Sequence, residues 1–166
     1  MKKVGSKSRF RIMLSLVRLK VVELIENVRN RFLLRKYPFW ALNQPEDATE
    51  YSCTWYDDIP RGWRKAFGKK LSDDIVKAYV EENGSTEGIR ENVYVYDVKE
   101  KYGTLRIYAS ACEAVQKVLD DYEIASWDRC IVCGRKADYY TSGWIVPVCE
   151  RHKKGRECKH KGEREK

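Results

Sequence analysis

The longest regular pattern of apolar residues lies near the N-terminus, between residues 8 and 35. Apolar side chains recur there at spacings of three and four, which places them on one side of an α-helix. The members of this stripe are Phe10, Leu14, Val17, Val21, Leu24, Val28 and Phe32. Proline disfavours helix at the residue before it, so Pro38 predicts that one long helix ends near Tyr37.

Three kinds of cover are open for this stripe. It can pack on the rest of the chain, pair with a second copy through residues 8–35, or lie on an anionic membrane surface. Arg18, Lys20, Glu23 and Glu26 interrupt the segment too often for a transmembrane helix. Because the two glutamates dilute the positive charge and the segment holds no tryptophan, packing or self-association is favoured.

After an irregular, aromatic-rich linker over residues 39–60, the pattern predicts helix, two strands and helix over residues 61–128. Ser72 has the residue type and position of an N-cap, for a helix that stops near Gly84. Residues 93–98 and 104–109 are rich in valine, tyrosine and other β-prone residues and predict a hairpin.

The strongest chemical signal is a pair of short motifs near the C-terminus. Cys130-Ile-Val-Cys133 is followed after fifteen residues by Cys149-Glu-Arg-His152. Two ligand pairs with two residues between their members are typical of a structural zinc site, and the spacer is long enough for a hairpin. The sequence therefore predicts Zn²⁺ bound by these four residues, in a site closed to further ligands. Cys158 and His160 are alternative ligands, but their spacing favours Cys149 and His152.

Together these elements predict an α+β fold with five segments. A basic amphipathic helix spans residues 1–38, the linker 39–60 and the α+β body 61–128. A zinc-ribbon-like hairpin spans 129–154, and residues 155–166 form a disordered basic tail. No signal peptide is recognisable, and the cysteine pattern fits a reducing compartment, so we expect a cytoplasmic protein.

The net charge of +8 is distributed unevenly. Residues 1–38 hold eleven basic and two acidic side chains, and residues 151–166 hold eight and three. The intervening residues hold fourteen basic and twenty acidic side chains. Basic ends on an acidic body are typical of arms that meet a polyanion, although such charges also serve simply to solvate chain ends.

Two basic segments with interleaved aromatic residues are candidate contacts for nucleic acid or another partner. Basic side chains can hold phosphates while a ring stacks on a base, but for the rings we favour the interpretation that Trp63 and Phe67 fill the core and the basic residues solvate its rim. The candidate residues are Arg61, Trp63, Arg64, Lys65, Lys69, Lys70, Lys101 and Arg106.

Several motifs in order resemble a group of small uncharacterised proteins of bacteriophages and prophages. They are Gly62-Trp-Arg-Lys-Ala-Phe-Gly68, Lys99-Glu-Lys-Tyr-Gly-Thr-Leu-Arg-Ile-Tyr108, Gly143-Trp144-Ile145 and the two ligand pairs. The resemblance covers roughly residues 35–152 and implies a zinc site and a bacterial host cytoplasm. It implies no activity, and many similar proteins carry cysteine at the position of His152.

The functional hypothesis is a non-enzymatic, zinc-stabilised phage-type protein that associates with nucleic acid through its basic arms. The alternative is a protein that inhibits or modulates a host protein, such as a defence protein. A metal-dependent nuclease is less favoured, because the sequence holds only two histidines and its paired aspartates are neighbours that point in different directions.

Overall fold

The computed structural model describes residues 6–42 and 53–163, with side chains for residues 15–42 and 53–162. It confirms the α+β class, with a long N-terminal helix and a small antiparallel sheet at the C-terminal end. The helices are α1 (Ser6–Lys36), α2 (Trp55–Asp58), α3 (Arg61–Trp63), α4 (Lys69–Asn83), α5 (Ile89–Asn92) and α6 (Glu113–Trp127). The strands are β1 (Tyr94–Lys101), β2 (Thr104–Ser110), β3 (Tyr139–Thr141), β4 (Pro147–Val148) and β5 (Cys158–His160).

Helix α1 packs on the main core near its C-terminal end, among the residues whose side chains the structure describes. Leu33 and Leu34 pack against the main core, and Asn30 is buried. Lys36 forms an ion pair with Asp73 of α4 at 2.9 Å. The turn Pro38–Trp40 then carries Trp40 into the core, where its indole N–H donates to Ser72 Oγ at 2.9 Å.

The main core lies between α4, α6 and the inner face of the β1–β2 hairpin. Trp40, Trp63, Leu71, Ile75 and Leu105 are all but inaccessible to solvent within it. Helix α2, through Trp55 and Tyr56, and the turn at Pro38–Trp40 close one side. Residues 43–52 of that linker lie outside the described residues.

Helix α4 does not begin at Ser72, and that prediction is wrong. Residues 61–83 are helical throughout, with a π-helical turn at Arg64–Gly68 between α3 and α4. Ser72 is buried one turn inside, and its hydroxyl donates to the carbonyl of Gly68 at 2.9 Å. The predicted end is confirmed, because the backbone N–H of Gly84 closes the last turn on Val80 at 2.7 Å.

The hairpin is confirmed and is longer than the β-prone runs predicted. Strands β1 and β2 pair antiparallel from Tyr94↔Ser110 to Lys101↔Thr104, with a bulge between Val95 and Asp97. The turn at Tyr102-Gly103 has positive φ at both residues, 53° and 86°, as in the two-residue turns that suit hairpin twist.

The second, smaller unit is the ribbon, which we define as residues 129–163. Its sheet has the order β4-β3-β5, with both pairings antiparallel. The hairpin predicted in the spacer between the two ligand pairs is present as β3 and β4. The disordered tail predicted from residue 155 onward is wrong for residues 158–163, because β5 pairs with β3 and a 3-10 turn follows at Lys161–Glu163. The charged residues of this segment favoured the prediction of a disordered tail. Strand β5 nevertheless forms, because its pairing with β3 uses backbone groups.

Candidate metal centre

The first ligand pair lies on a tight turn that presents both thiols to one side. Cys130 N–H donates to the carbonyl of Arg135 at 2.7 Å, and Gly134 N–H donates to that of Cys130 at 2.8 Å. Gly134 has a φ of 79°, which a residue with a side chain rarely adopts. A Cβ there would also lie 2.5 Å from the carbonyl oxygen of Gly62, so glycine is required twice over.

The second pair follows β4 on another turn. The N–H of His152 donates to the carbonyl of Cys149 at 2.8 Å, which brings the imidazole beside the thiol. The Sγ atoms of Cys133 and Cys149 lie 3.7 Å apart. Nδ1 of His152 lies 3.5 Å from Cys130 Sγ and 3.4 Å from Cys149 Sγ.

The four ligand atoms, all within 4.8 Å of one another, could hold a metal ion. Within residues 15–42 and 53–162, this is the only group of three or more histidine, cysteine and acidic side chains with that property. Cys130 and Cys149 are buried, whereas Cys133 and His152 are half-buried at the rim. The structure therefore brings together all four residues that the spacing of the two pairs predicted.

The electrostatics of the site differ between its buried and its open side. Burial raises the pKa of the Cys130 thiol. Burial also acts to raise the pKa of Cys133, but hydrogen bonds from the backbone and side chain of Arg135 and from neighbouring thiols outweigh it, and the pKa falls to about 6. Cys133 is thus ready to ionise near neutral pH, as a thiolate ligand must.

Cys158 and His160 are not part of the cluster. Cys158 is half-buried and packs on the ribbon's core, with its thiol directed at the carbonyl of Lys153. The ring of His160 stacks edge-on against Tyr139, with 5.1 Å between ring centroids. The fold therefore brings Cys149 and His152 to the first ligand pair, and not the alternative ligands Cys158 and His160.

The metal centre is joined directly to the main body through what we call the seam, namely Gly62 and Trp63 against residues 129–134. Gly62 N–H donates to the carbonyl of Ile131 at 2.8 Å, and the indole N–H of Trp63 donates to that of Arg129 at 2.8 Å. A Cβ on Gly62 would lie 2.2 Å from the carbonyl oxygen of Cys130. The closeness of the two backbones explains the glycine, and the body supplies partners for the turn that carries the first two ligands.

The seam decides between the two roles that the sequence left for Trp63. Its exposed fraction is 0%, so the favoured interpretation of a core residue is confirmed. The tentative role as a contact residue is wrong, because a buried ring cannot stack on a base. The bond of its indole to the ribbon could not be read from the sequence.

The neighbouring basic residues also serve internal contacts. Arg64 bonds to Asp57 at 2.8 Å, Lys69 to Asp73 at 2.6 Å and Lys70 to Asp74 at 2.6 Å. Arg106 forms an ion pair with Glu123 of α6. Each of these candidates for a phosphate contact already faces a carboxylate. Arg61, Lys65 and Lys101 are exposed, and Lys101 lies over the Tyr102 ring.

The acidic pairs considered for metal catalysis do not converge in the described residues. Asp57 is held by Arg29 and Arg64, and Asp73 by lysines and a tyrosine. The hydrogen bonds from Lys69, Tyr37 and Lys36 hold the pKa of Asp73 well below its usual range. These carboxylates tie helices together, and nothing in the described part of the chain supports the nuclease hypothesis.

Sequence reasoning missed a group of exposed rings. Trp144, in the turn between β3 and β4, is 77% exposed, and its indole N–H donates to Glu100 Oε2 at 2.8 Å. Together with Tyr102 it lines a cleft of about 390 Å³ between the hairpin turn and the ribbon. Both residues occur in the motifs that carry the resemblance, but only the fold places them side by side.

A further aromatic group lies on the outer face of the β1–β2 hairpin, where the exposed Tyr94 and Tyr96 are neighbours of the half-buried Tyr108. Ring centroids are 6.4 Å apart for Tyr94 and Tyr96 and 6.3 Å apart for Tyr96 and Tyr108. Alternation along β-prone strands is the signal that could have identified this face.

The apolar stripe on α1 is not covered by the body. Val17, Val21, Leu24, Val28 and Phe32 are all exposed, and the side chains of Phe10 and Leu14 lie outside the described residues. Of the two favoured kinds of cover, packing on the rest of the chain is therefore wrong for these five residues, and self-association stays a prediction. In the part of the chain that the structure describes, no helix combines the length and apolar composition needed to cross a bilayer.

Comparisons of the chain with protein-family models, with curated proteins and with solved structures gave no significant match. Functional inference therefore rests on the geometry of the site and the distribution of charge and aromatic side chains.

Proposed function

We propose that this chain is a zinc-stabilised, non-catalytic binding protein, in which the metal holds the ribbon in a fixed position on the body. The closed ligand set carries this proposal. In a tetrahedral zinc site, with Zn–S of about 2.3 Å and Zn–N of about 2.0 Å, neighbouring sulfurs lie about 3.8 Å apart, and sulfur and nitrogen about 3.5 Å apart. The distances of 3.7, 3.5 and 3.4 Å in the cluster match these edges.

Four protein ligands leave no position for a substrate or an activated water, which favours a structural over a catalytic metal. The ribbon's core is small: its buried residues are Cys130, Ala137, Val146, Val148 and Cys149. Two of these five are themselves ligands. A unit with so few buried side chains gains its stability from the metal, because binding energy of structural zinc is folding energy.

Nucleic acid is the first candidate partner, and the ribbon is its proposed binding surface. Residues 129–163 hold nine basic and four acidic side chains, whereas residues 53–128 hold eleven and fifteen. Arg151, Lys154, Arg156 and Lys159 are exposed and form no ion pair with another described side chain. A concentration of free positive charge on a rigid unit favours phosphate contacts.

Trp144 replaces Trp63 as the proposed base-stacking residue. It is exposed, belongs to the ribbon and lies beside Tyr102 and Lys101 in the cleft. A flat ring next to an exposed amine suits an unpaired nucleotide, since stacking of a base on an aromatic ring is largely independent of sequence.

A charge-matched pair of variants tests this proposal. We expect replacement of Arg151, Lys154, Arg156 and Lys159 by glutamine to weaken binding of fluorescent single-stranded RNA and DNA at least tenfold. The same change in net charge on the body, made at Arg61, Lys65, Lys77 and Lys117, should leave affinity within about threefold. Binding should fall steeply between about 50 and 200 mM salt, as counterion release requires. Equal effects of the two variants would remove the ribbon as the binding surface, and no binding at low salt would remove nucleic acid as the partner.

A host protein is the second candidate partner, favoured by the tyrosine face of the hairpin. Tyrosine is enriched among residues that dominate protein interfaces, and two exposed rings beside a half-buried one form a ready contact area. Lys99 on this face is paired with Asp97, so the face carries little free positive charge for a polyanion. The resemblance to phage and prophage proteins supports a bacterial host protein, such as a defence protein, in this role.

Affinity capture from bacterial lysate, with and without nuclease, separates the two candidates. A partner that survives nuclease treatment and is lost with Tyr96→Ser, but not with the ribbon variant, would support the protein reading. Capture that depends on nucleic acid and on the ribbon would contradict it.

A further inference from the structure

A cleft with three arginines in its wall lies between the C-terminal end of α1 and helix α5. Its volume is about 510 Å³, which is in the size range of pockets for small molecules. The arginines are Arg31, Arg35 and Arg90, and apolar side chains such as Phe32 and Pro38 form the rest of its wall. No acidic side chain of the described residues lines this site, which we call the arginine cleft.

The positive charge in the arginine cleft comes from two separate elements. Arg31 and Arg35 are four residues apart, so they are neighbours on one face of α1, where like charges repel. Arg90 belongs to α5 and is half-buried. The fold therefore brings together positive charges that are distant in the sequence.

Two of these arginines differ from the basic residues beside them. Arg29 and Lys36, also near the end of α1, face carboxylates at 2.5 and 2.9 Å. The side chains of Arg35 and Arg90 form no ion pair or hydrogen bond within the described part of the chain. A half-buried guanidinium group has lost part of its water, so an anion from outside the chain is a suitable partner for Arg90.

We propose that the arginine cleft binds a nucleoside that carries a terminal phosphate group. A phosphate monoester has a charge of about −1.5 to −2 near neutral pH and three acceptor oxygens, which suits several guanidinium groups. The fork of an arginine matches two such oxygens at once. Phe32 is 69% exposed in the wall of the cleft, where its ring can stack on the base. This inference does not depend on the proposed partner of the ribbon.

Two other anions fit the arginine cleft less well. A single carboxylate carries one charge and two oxygens, so it would leave part of the positive charge unmatched. A nucleic-acid duplex presents its phosphates along an extended backbone, and such a surface does not enter a concave cleft with an apolar wall. One nucleoside with a terminal phosphate fits both the volume and the charge.

Helix α1 offers a matched pair of substitutions. Arg35 and Arg18 are both exposed arginines of this helix, but Arg18 lies about 25 Å from Arg35 along the helix axis and does not line the cleft. Arg35→Gln and Arg18→Gln therefore make the same change of charge near the proposed site and far from it. Neither residue belongs to the core, so both variants should fold normally, as circular dichroism can verify.

The test is isothermal titration calorimetry of the full-length protein with adenosine monophosphate, adenosine and inorganic phosphate. We expect one saturable site for adenosine monophosphate and about tenfold or more weaker binding of adenosine, which lacks the phosphate, and of inorganic phosphate, which lacks the base. Arg35→Gln should weaken binding of adenosine monophosphate about tenfold, and Arg18→Gln less than threefold. Phe32→Ala should weaken binding of adenosine monophosphate but not of inorganic phosphate.

A strand end and a free nucleotide offer the same chemistry. A short single-stranded RNA with a phosphate at its end, compared with the same RNA without it, distinguishes these two sources. The ribbon variant, in which glutamine replaces the four exposed basic residues of the ribbon, should bind adenosine monophosphate as the wild type does. Loss of that binding in the ribbon variant would overturn the proposal, because the nucleotide would then lie on the ribbon.

Three further results would also overturn it: no saturable binding of adenosine monophosphate, equal affinity for adenosine, or equal losses in Arg35→Gln and Arg18→Gln. The chain itself carries acidic residues shortly after the end of α1, namely Glu46, Asp47 and Glu50. If adenosine monophosphate bound only after these three were replaced by their amides, the arginine cleft would be a site for the chain's own carboxylates.

Discussion

The ribbon and helix α1 are attached to the same body but are held in opposite ways. The ribbon buries few side chains, yet the seam holds it on the body through short backbone contacts, beside four residues that could hold a metal ion. Helix α1 carries many large apolar side chains, yet over residues 15–28 it places almost none of them against the body. The difference shows that attachment depends on where donors and acceptors meet, not on how much apolar surface a segment carries.

The polar contacts at the base of α1 illustrate the same point. Arg29 donates to Asp57 at 2.5 Å, and Lys36 and Tyr37 donate to Asp73 at 2.9 and 2.5 Å. These contacts hold one end of the helix and leave the stripe exposed. In the ribbon, by contrast, the polar contacts and the four candidate ligands are directed inward.

The largest expected effect comes from breaking the metal centre. Cys133→Ser should abolish stoichiometric zinc and unfold the ribbon, because three remaining ligands cannot close the site. Cys158→Ser, which changes a cysteine outside the cluster, should retain zinc. Elemental analysis and hydrogen exchange check this: amides of β3, β4 and β5 should lose protection in the first variant, and those of β1 and β2 should keep most of theirs.

A chain that binds no zinc, or that needs Cys158 more than Cys133, would show that the cluster is a packing arrangement of thiols. The seam alone would then hold the ribbon on the body, and a metal centre would no longer distinguish the ribbon from α1.

An intermediate effect should follow from breaking the seam. Trp63→Ala removes a fully buried ring and its bond to Arg129, and we expect it to lower the free energy of unfolding by about 3–5 kcal/mol. Trp144→Ala removes the same side chain from an exposed position and should cost less than about 1 kcal/mol. Urea denaturation of the zinc-loaded proteins measures both.

If both tryptophan variants lost similar stability, the body and ribbon would not be joined as described. If Trp63→Ala instead weakened nucleic-acid binding without loss of stability, Trp63 would be a contact residue for nucleic acid rather than a joint between body and ribbon.

The smallest effect concerns the joint between α1 and α4 and depends on pH. The pKa of Asp73 in the folded protein lies below its ordinary value of 3.8, mainly because of hydrogen bonds from Lys69, Tyr37 and Lys36. Its contribution to stability is therefore complete above about pH 4 and is lost as pH falls through the folded value. The side chain is more than a third exposed, so the contribution should be about 1 kcal/mol or less.

Urea denaturation of the wild type and Asp73→Asn between pH 7 and pH 3 checks this. The difference in unfolding free energy between them should shrink at the acid end. The exposed Asp120→Asn variant serves as control and should differ little from the wild type at any pH. A constant difference for Asp73→Asn would mean that its carboxylate charge does not support the joint.

Local patterns predicted much of this fold for clear reasons. The three-and-four spacing of apolar residues predicts α1, and the β-prone runs predict the hairpin, because both depend on neighbours along the chain. The Cys-x-x-Cys and Cys-x-x-His pairs predict the metal centre, since two residues between ligands set the width of a turn. The start of α4 was wrong because Ser72 is equally suited to a helix cap and to a buried hydrogen bond with Trp40.

The sequence by itself determined the periodic elements, the four candidate ligands and the uneven charge. Only the tertiary structure decided that Trp63 is a buried joint, that Trp144 and Tyr102 share a cleft, and that β5 completes the ribbon. It also decided that the stripe of α1 faces away from the body. The physical reason is that burial depends on contacts between residues far apart in the chain. An apolar or aromatic residue has the same local pattern whether its partner lies inside the protein or outside it.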